Sequence, residues 1–403
     1  MHIHRRLIAV LGMFVAVFFG AELAVPADVT DAAVPPDEAS ARVPAATPQD
    51  SIIAEMWKRA LRGSSADAGS ATAGSEVAIR LTPPPAVVAS PQQTNIQVAS
   101  YSIGHYQPAV FGLRDFFQGP PGFAIYVPTY VYHTSTFKDK NGDKVDTLTI
   151  GDRTLDLDVN VDVVSITPII AYTTKWHPFG ANSKFGFSII PAFGSTSVAG
   201  QLENVTGKGI SASASNFAWG DLGVMPVRVQ WDWKKASLAT NYLFFAPTGR
   251  YELGAPDNVG FGFWSHEFQL AGEYRLNTKH HTSLIGAINF EINGDKEDQD
   301  YKVGNTIGLN YGIARIIPVN KGAGALDLSI LGTSVWQVTD DTGSDVVNGF
   351  VHDRVHSIGG RFNYIFVKHH VTVAFNFLQE YGARARFQGS WYYASITKVF
   401  PAH

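Results

Sequence analysis

Residues 227–248 read VRVQWDWKKASLATNYLFFAPT. Val227, Val229, Trp231 and Trp233 alternate with Arg228, Gln230, Asp232 and Lys234. That is the period of a β-strand with one apolar and one polar face. A tight link at Lys234–Ala236 follows, and a second strand-like run climbs to Pro247. The layout recurs. Tight links stand at Lys279–His281 and Lys368–His370, and long polar stretches at Lys138–Arg153, Gln201–Ala218, Gly294–Val303 and Thr339–Val351. Short turns on one rim and long loops on the other are the pattern of a transmembrane β-barrel. In a soluble sandwich the apolar faces would pack on a second sheet. In a membrane barrel they face lipid, and the polar faces line a wet lumen.

The alternation continues elsewhere. Leu155, Leu157, Val159, Val161 and Val163 alternate with Asp156, Asp158, Asn160 and Asp162. Phe268, Leu270, Tyr274 and Leu276 alternate with Glu267, Gln269, Glu273 and Arg275, and Val371, Val373, Phe375 and Phe377 with Thr372 and Asn376. The expected fold is all-β, an antiparallel up-and-down barrel of about 12 strands over 122–403. The strands fall at roughly 122–137, 154–175, 184–199, 220–234, 236–248, 263–277, 281–293, 304–318, 325–338, 352–367, 370–380 and 390–400. An even count puts both ends on the short-turn, periplasmic side. Aromatics near strand ends (Tyr126, Tyr130 and Tyr132; Tyr172 and Trp176; Trp231 and Trp233; Trp264; Tyr364 and Phe366; Trp391, Tyr392 and Tyr393) read as interfacial girdles. The last strand closes at Ser395–Phe400, an aromatic ending similar to the signal read by the outer-membrane insertion machinery.

Composition agrees. The 403 residues carry Lys+Arg 31 and Asp+Glu 35, a net charge of −4, so no basic field invites nucleic acid. Cysteine is absent, which excludes disulfides, thiol catalysis and cysteine metal sites. Gly 38, Phe 26 and Tyr 15 supply turn formers and aromatics. Mean hydropathy is +0.00, because alternating strands average out. Basic Met1–Arg6, apolar Leu7–Phe19 and Val25-Pro26-Ala27 read as a secretory signal over 1–27. Residues 28–121 read as an Ala/Pro/Ser-rich periplasmic extension, extended or disordered over much of its length. Within it Ile52, Ile53, Met56, Trp57 and Ala60 suggest a short helix near 50–61, either a local helix on the tail or a plug or membrane-surface contact.

Pro128, Pro168, Pro191 and Pro226 interrupt four successive strands. Proline lacks the ladder N–H and belongs at an edge or bulge. Tracing the strands up and down puts all four at similar height. They are either bulges that set curvature or a weak level in the wall, a lateral gate through which an apolar solute leaves the lumen for lipid.

Polar strand faces nominate the lumen lining: Asp156, Asp158, Asp162, Arg228, Gln230, Glu267, Glu273, Arg275, Asn289, Glu291, Arg361 and Asn363. No catalytic constellation, metal site or cofactor is expected. His280-His281 and His369-His370 read as solvated turn residues. His352, Asp353 and His356 do not share one strand face. Asp139–Asp143 resembles a calcium loop, but Lys144 stands where that loop needs glycine, so an Asn-Gly turn is the simpler reading. An outer-membrane lipase needs a Ser–His pair on lipid-facing positions. The adjacent His356-Ser357 point to opposite faces.

Gly220-Asp221-Leu222 with Pro226, then Pro247-Thr248-Gly249-Arg250-Tyr251, Asn258-Val259-Gly260 and Trp264, resemble the outer-membrane protein family named for the meta-pathway of phenol degradation. Pro120-Pro121-Gly122-Phe123, and Tyr301 with Gly304, fit it too. The resemblance spans roughly the whole barrel. It implies kinship with long-chain fatty-acid outer-membrane transporters, and passive uptake of hydrophobic or aromatic compounds across the Gram-negative outer membrane. Its partners would be the lipid bilayer and an apolar solute. A structural or surface-adhesion barrel is the other reading. The bottom-up reading of Pro247, Thr248, Gly249, Tyr251, Asn258, Gly260 and Trp264 is an external loop that can fold over the mouth.

Overall fold

The computed structural model describes residues 104–402 except 108–111, 151–152, 204–208, 254, 256, 278–280 and 347. The signal at 1–27, the extension up to residue 103 and the helix near 50–61 lie outside the described residues. Apart from two 3-10 turns, Asn320–Gly322 and Val367–His369, the regular structure is all β. The first nine strands are β1 (Gly122–Thr134), β2 (Phe137–Lys138), β3 (Thr147–Ile150), β4 (Arg153–Ile166), β5 (Ile169–Thr173), β6 (Ser183–Ile190), β7 (Phe193–Glu203), β8 (Gly209–Trp219) and β9 (Leu222–Asp232). Then come β10 (Ala236–Ala246), β11 (Ser265–Asn277), β12 (Thr282–Asn293), β13 (Thr306–Val319), β14 (Gly324–Gln337), β15 (Arg354–Phe366), β16 (Val371–Arg384), β17 (Arg386–Phe387) and β18 (Ser390–Pro401).

Twelve of these close a ring in the order β1, β5, β6, β9 to β16, β18, all antiparallel. β18 pairs back on β1 from Gly122↔Pro401 to His133↔Ser390, so the ring has no edge. Its outer surface is apolar all round: Phe268, Leu270 and Leu276 on β11, Ile288 on β12, Ile330 on β14, Ile358 and Phe362 on β15, and Phe375 and Phe377 on β16 are exposed. Such a continuous greasy belt has no stable place in water and marks the lipid contact of a membrane barrel. His281 and His370 occupy left-handed positions (φ 46° and 50°) in tight turns of one rim.

Above the closed ring the wall forks. β1 pairs β5 from Gly122 to Tyr126, then β4 from Thr129 to Thr134. Pro128 stands at the change of partner, and its carbonyl accepts from Thr167 N at 2.9 Å. Three staves are broken here: β4/β5 at Thr167-Pro168, β6/β7 at Pro191-Ala192 and β8/β9 at Gly220-Asp221. Beyond the breaks β4 pairs β7 and β7 pairs β8. β8 has no second ladder among the described residues, so this upper flap ends in an edge. Pro226 is not the fourth break. Tyr242 faces Val227 and Phe244 faces Val224, so Leu243 is opposed by Met225 and Pro226 together, a β-bulge in the closed ring.

Two expectations from sequence are corrected here. The stretch 201–218 is not one long loop: β7 runs to Glu203 and β8 starts at Gly209. Its Ser/Ala alternation carries little apolar signal yet fits a pleated ladder. Asp156, Asp158 and Asp162 do not face the lumen. Leu157, Val159 and Val161 are buried and point inward, whereas Asp156, Asp158 and Asn160 are exposed and Asp162 meets His133 on the outer face. The outward residues change from Asp158, Asn160, Asp162, Ser213 and Ser215 to Val164, Ile166, Phe193, Phe217 and Trp219 on approaching the breaks. The polar part of the flap therefore stands above the hydrocarbon layer. There the outside is wet, and the apolar face turns in.

Candidate functional site

Part of the segment expected in the periplasmic extension lies inside the ring. Asp115 receives Arg361 Nη1 at 2.6 Å and Nη2 at 3.2 Å, and the Tyr126 hydroxyl at 2.8 Å. Arg114 pairs with Glu273, and its Nε donates to Asp327 at 3.3 Å. Gln118 N donates to Gln230 Oε1 at 2.5 Å, and Asn241 Nδ2 donates to Phe116 O at 3.3 Å. Higher up, the Glu291 carboxylate accepts from the backbone N–H groups of His105 (2.6 Å) and Tyr106 (3.3 Å). Polar side chains that would otherwise line an open pore are thus spent on this inner segment. Burying a charge is tolerable when it is paired and hydrogen-bonded.

Asp221, at the break between β8 and β9, is a hub. Its Oδ1 accepts from Gly249 N at 2.9 Å, and its Oδ2 from Phe261 N at 2.7 Å and from His105 Nε2 at 2.8 Å. Asn293 donates its Nδ2 to Gly304 O, so its Oδ1 faces Ser265 and takes that hydroxyl's proton at 2.7 Å. Ser265 Oγ also lies 2.7 Å from His105 Nδ1. The two ring nitrogens of His105 thus bridge Ser265 and the Asp221 carboxylate. The imidazole stacks on Phe245 (4.6 Å, 7°) and is flanked by Phe261 and Phe263.

One carboxylate therefore fastens both the inner segment and the 247–264 loop to the wall. The loop's glycine is required by contact: a Cβ on Gly249 would lie 2.7 Å from Gly220 C and from Gly260 Cα. Thr248 Oγ1 accepts from Leu222 N, and the Asn258 side chain closes the loop on Glu252 through two bonds. The Tyr251 ring lies where a Cβ on Gly262 would go. Trp264 is exposed on the outer face, and Pro247 follows the last residue of β10.

Above this polar floor is an apolar chamber. The space within it open to the centre of a water-sized sphere is ≈ 320 Å³. Tyr130 and Tyr132 of β1, Val159, Val161 and Val163 of β4, and Trp391 of β18 form one wall. Phe137 and Phe387, edge to face at 5.0 Å, cover it from the small β2–β17 pair. Val259 and Phe261 of the loop face it from the side of β8. Tyr126, Tyr130, Tyr132, Trp391 and Tyr393 thus point inward and are not girdle residues. Period two shows that a strand has two faces without showing which one is wet, so alternation alone does not reveal this chamber. An expected outcome follows. Val161→Asp, opposite Val198 inside the flap, puts an unpaired carboxyl group in an apolar wall, where even a neutral polar group without a partner costs ~2–7 kcal/mol and an ionised one more. Apolar-solute uptake should fall at least roughly tenfold. Asp158→Val on the outer face should leave uptake unchanged, as initial uptake rates by cells making each variant would show.

A family model described as "Putative MetA-pathway of phenol degradation" matches residues 134–396. The chain belongs to this family. Among solved structures, the COG4313 outer membrane channel from Pseudomonas putida F1 is 14% identical, with 71% of this chain and 98% of that one covered at a TM-score of 0.56. That likeness shows a shared barrel fold. A Pseudomonas aeruginosa FadL homologue (10% identity, 70% of this chain and 90% of that one, TM-score 0.34) and the CymD monoaromatic hydrocarbon channel (9%, 76% and 98%, 0.36) overlap too loosely to bear on function. No curated protein matches the chain.

Of the family motif, scattered over forty-odd positions, Gly220, Gly249 and Gly260 meet around Asp221. Its outlying pair also converges: Asp341 accepts from the Tyr301 hydroxyl and, at 2.7 Å, from Gly304 N. Of the nominated lining residues, Arg228, Gln230, Glu267, Glu273, Arg275, Asn289, Glu291, Arg361 and Asn363 lie on the inner face of the ring. Several of them hold the inner segment rather than face open water. The histidines named from sequence go separate ways: His352 pairs with Asp340, Asp353 with Arg386, and His356 Nδ1 meets Ser334 Oγ at 2.9 Å. The last two share the lipid-facing side of neighbouring strands, where Ser357 points inward to Thr333. No third polar group meets His356 Nε2 among the described residues, so the pair lacks the orienting partner of a hydrolase. Asp139 Oδ1 accepts from the backbone N–H groups of Asn141, Gly142 and Asp143 at 2.8 Å each, the bonding of a self-closed Asx turn.

Proposed function

We propose that this outer-membrane barrel carries small hydrophobic or aromatic molecules, without enzymatic activity, by holding them in the apolar chamber and releasing them sideways. The observation that carries this reading is a juxtaposition. An aromatic-walled chamber lies directly above a filled polar lumen and beside β8, a strand whose outer edge has no ladder partner among the described residues. An apolar solute gains little from crossing the hydrogen-bonded floor and much from staying out of water. The seam between β8 and the 247–264 loop includes the bond from Arg250 N to Trp219 O at 2.9 Å. It sits at the level of Pro168 and Pro191, where the ladder is already interrupted. Pro128 and Pro226 serve the same wall, one at the fork and one in a bulge.

Two uptake measurements test this. Cells making the full chain should take up a labelled aromatic hydrocarbon several-fold faster than cells without it. Liposomes containing the purified protein should swell little faster in small sugars than empty ones. Rapid sugar entry with no gain in hydrocarbon uptake would mark an ordinary aqueous pore and end the proposal.

A further inference from the structure

The chamber borders one cation that, among the described residues, makes no contact ion pair. Lys296, in the turn between β12 and β13, borders the same cavity as Val259 and Phe261. Its Nζ lies 5.1 Å from the Tyr301 ring centroid and 5.9 Å from that of Tyr251. No carboxylate comes within ion-pair distance of it among the described residues, and it donates no side-chain hydrogen bond there. The other basic side chains around the chamber are engaged: the His105 imidazole by Asp221, Arg386 by Asp353, and Arg250 by Glu252 and Asp257. Asp341, the acid whose charge acts on Lys296 without reaching ion-pair distance, already accepts from Tyr301, Gly304 and Gln337. Glu267 also borders the cavity, and it takes its hydrogen bond from Gln269.

The ammonium is held in place rather than free to wander. Lys296 N donates to Tyr301 O at 2.8 Å, and Glu297 N donates to Gly262 O at 2.7 Å, which ties this turn to the 247–264 loop. Gln299 Nε2 fixes the Tyr251 hydroxyl at 2.6 Å. Burial draws the Lys296 ammonium down to about 8, so it is still charged at neutral pH. An ammonium has three donors, and here the rings stabilise its charge without filling any of them.

Resting on the chamber reading above, we infer that Lys296 is a head-group site, and that the favoured occupant is a single-headed organic anion: an aromatic or alkyl carboxylate whose apolar body fills the chamber while its carboxylate takes the Lys296 ammonium. A neutral hydrocarbon uses only half of this site. The anion supplies the missing acceptor, and the low-dielectric surroundings strengthen the contact.

The test uses the full chain in a non-ionic detergent at pH 7, with 4-butylbenzoate and 4-butylbenzyl alcohol as matched probes followed by equilibrium dialysis. The natural protein should hold the carboxylate about tenfold more tightly than the alcohol. Lys296→Met should bring the two to near equality by weakening the carboxylate alone, and Lys296→Arg should keep most of the preference. Retained alcohol binding also reports that the Met variant is folded. Equal affinities in the natural protein, or an unchanged preference in Lys296→Met, would overturn the head-group site and leave the apolar chamber standing. Failure of the natural protein to bind either probe would overturn the chamber and the head-group site together.

Discussion

Asp221→Ala should convert a nearly closed protein into a leaky one. The carboxylate is 4% exposed and accepts three hydrogen bonds, from Gly249 N, Phe261 N and His105. Removing it strands two buried N–H groups and leaves the imidazole of His105 without its carboxylate partner. Breaking a buried, hydrogen-bonded pair by deleting one member costs about 3–5 kcal/mol. Much of that cost can be relieved if the 247–264 loop and the inner segment move out to water, because those are the elements Asp221 fastens. The ring itself is untouched, since its ladders are complete without Asp221. Ion conductance in planar bilayers should therefore rise several-fold, with little loss of the barrel's resistance to unfolding. Asp221→Asn should recover little, because an amide oxygen replaces one acceptor while its NH2 confronts a backbone donor. His105→Ala adds little conductance on top of Asp221→Ala if the two act as one latch, a non-additivity that a double-mutant cycle measures directly. Unchanged conductance in Asp221→Ala would mean that the inner segment stays in place without Asp221, held by its other wall partners such as Glu291, Arg361 and Glu273.

The barrel was legible because its evidence is local. Period two, tight links such as Lys234–Ala236 and an apolar outer face are written in each strand, and twelve staves follow from them. Strand facing was legible only where a strand stays within the hydrocarbon layer. Glu267, Glu273 and Arg275 turn inward as their polarity suggests, since lipid occupies the other side. Asp156, Asp158 and Asp162 do the reverse because β4 rises out of the layer, where water is outside and the aromatic chamber is inside. Alternation has the same appearance in both settings. The inner segment was hidden for another reason. His105, Arg114, Asp115 and Gln118 show no periodicity, and their partners on the wall lie anywhere from 11 to 246 positions away. The only cue was an excess of inward charge on the strands with no counter-charge in view. The glycines Gly220, Gly249 and Gly260 were visible as a motif, but their meeting around Asp221 is a property of the broken wall and not of their spacing.

Sideways release makes one demand that no other route shares: β8 and the 247–264 loop must part. The chain contains no cysteine, so Trp219→Cys with Arg250→Cys introduces a single pair astride the seam, at the bond from Arg250 N to Trp219 O. A short thiol crosslinker with a reducible bridge then ties the seam without altering the ring, the floor or the chamber. Because the tie is reversible, the same molecules report before closing, while closed and after reduction, and a folding defect cannot be mistaken for closure. The effect should be large, since a covalent tie removes the parted state altogether rather than shifting its population. The decisive measurement is the uptake rate of a labelled aromatic hydrocarbon by cells carrying this pair: it should fall to the level of cells lacking the protein on crosslinking and return on reduction, whereas uptake that continues undiminished through the tied seam would show that solute does not leave by this wall.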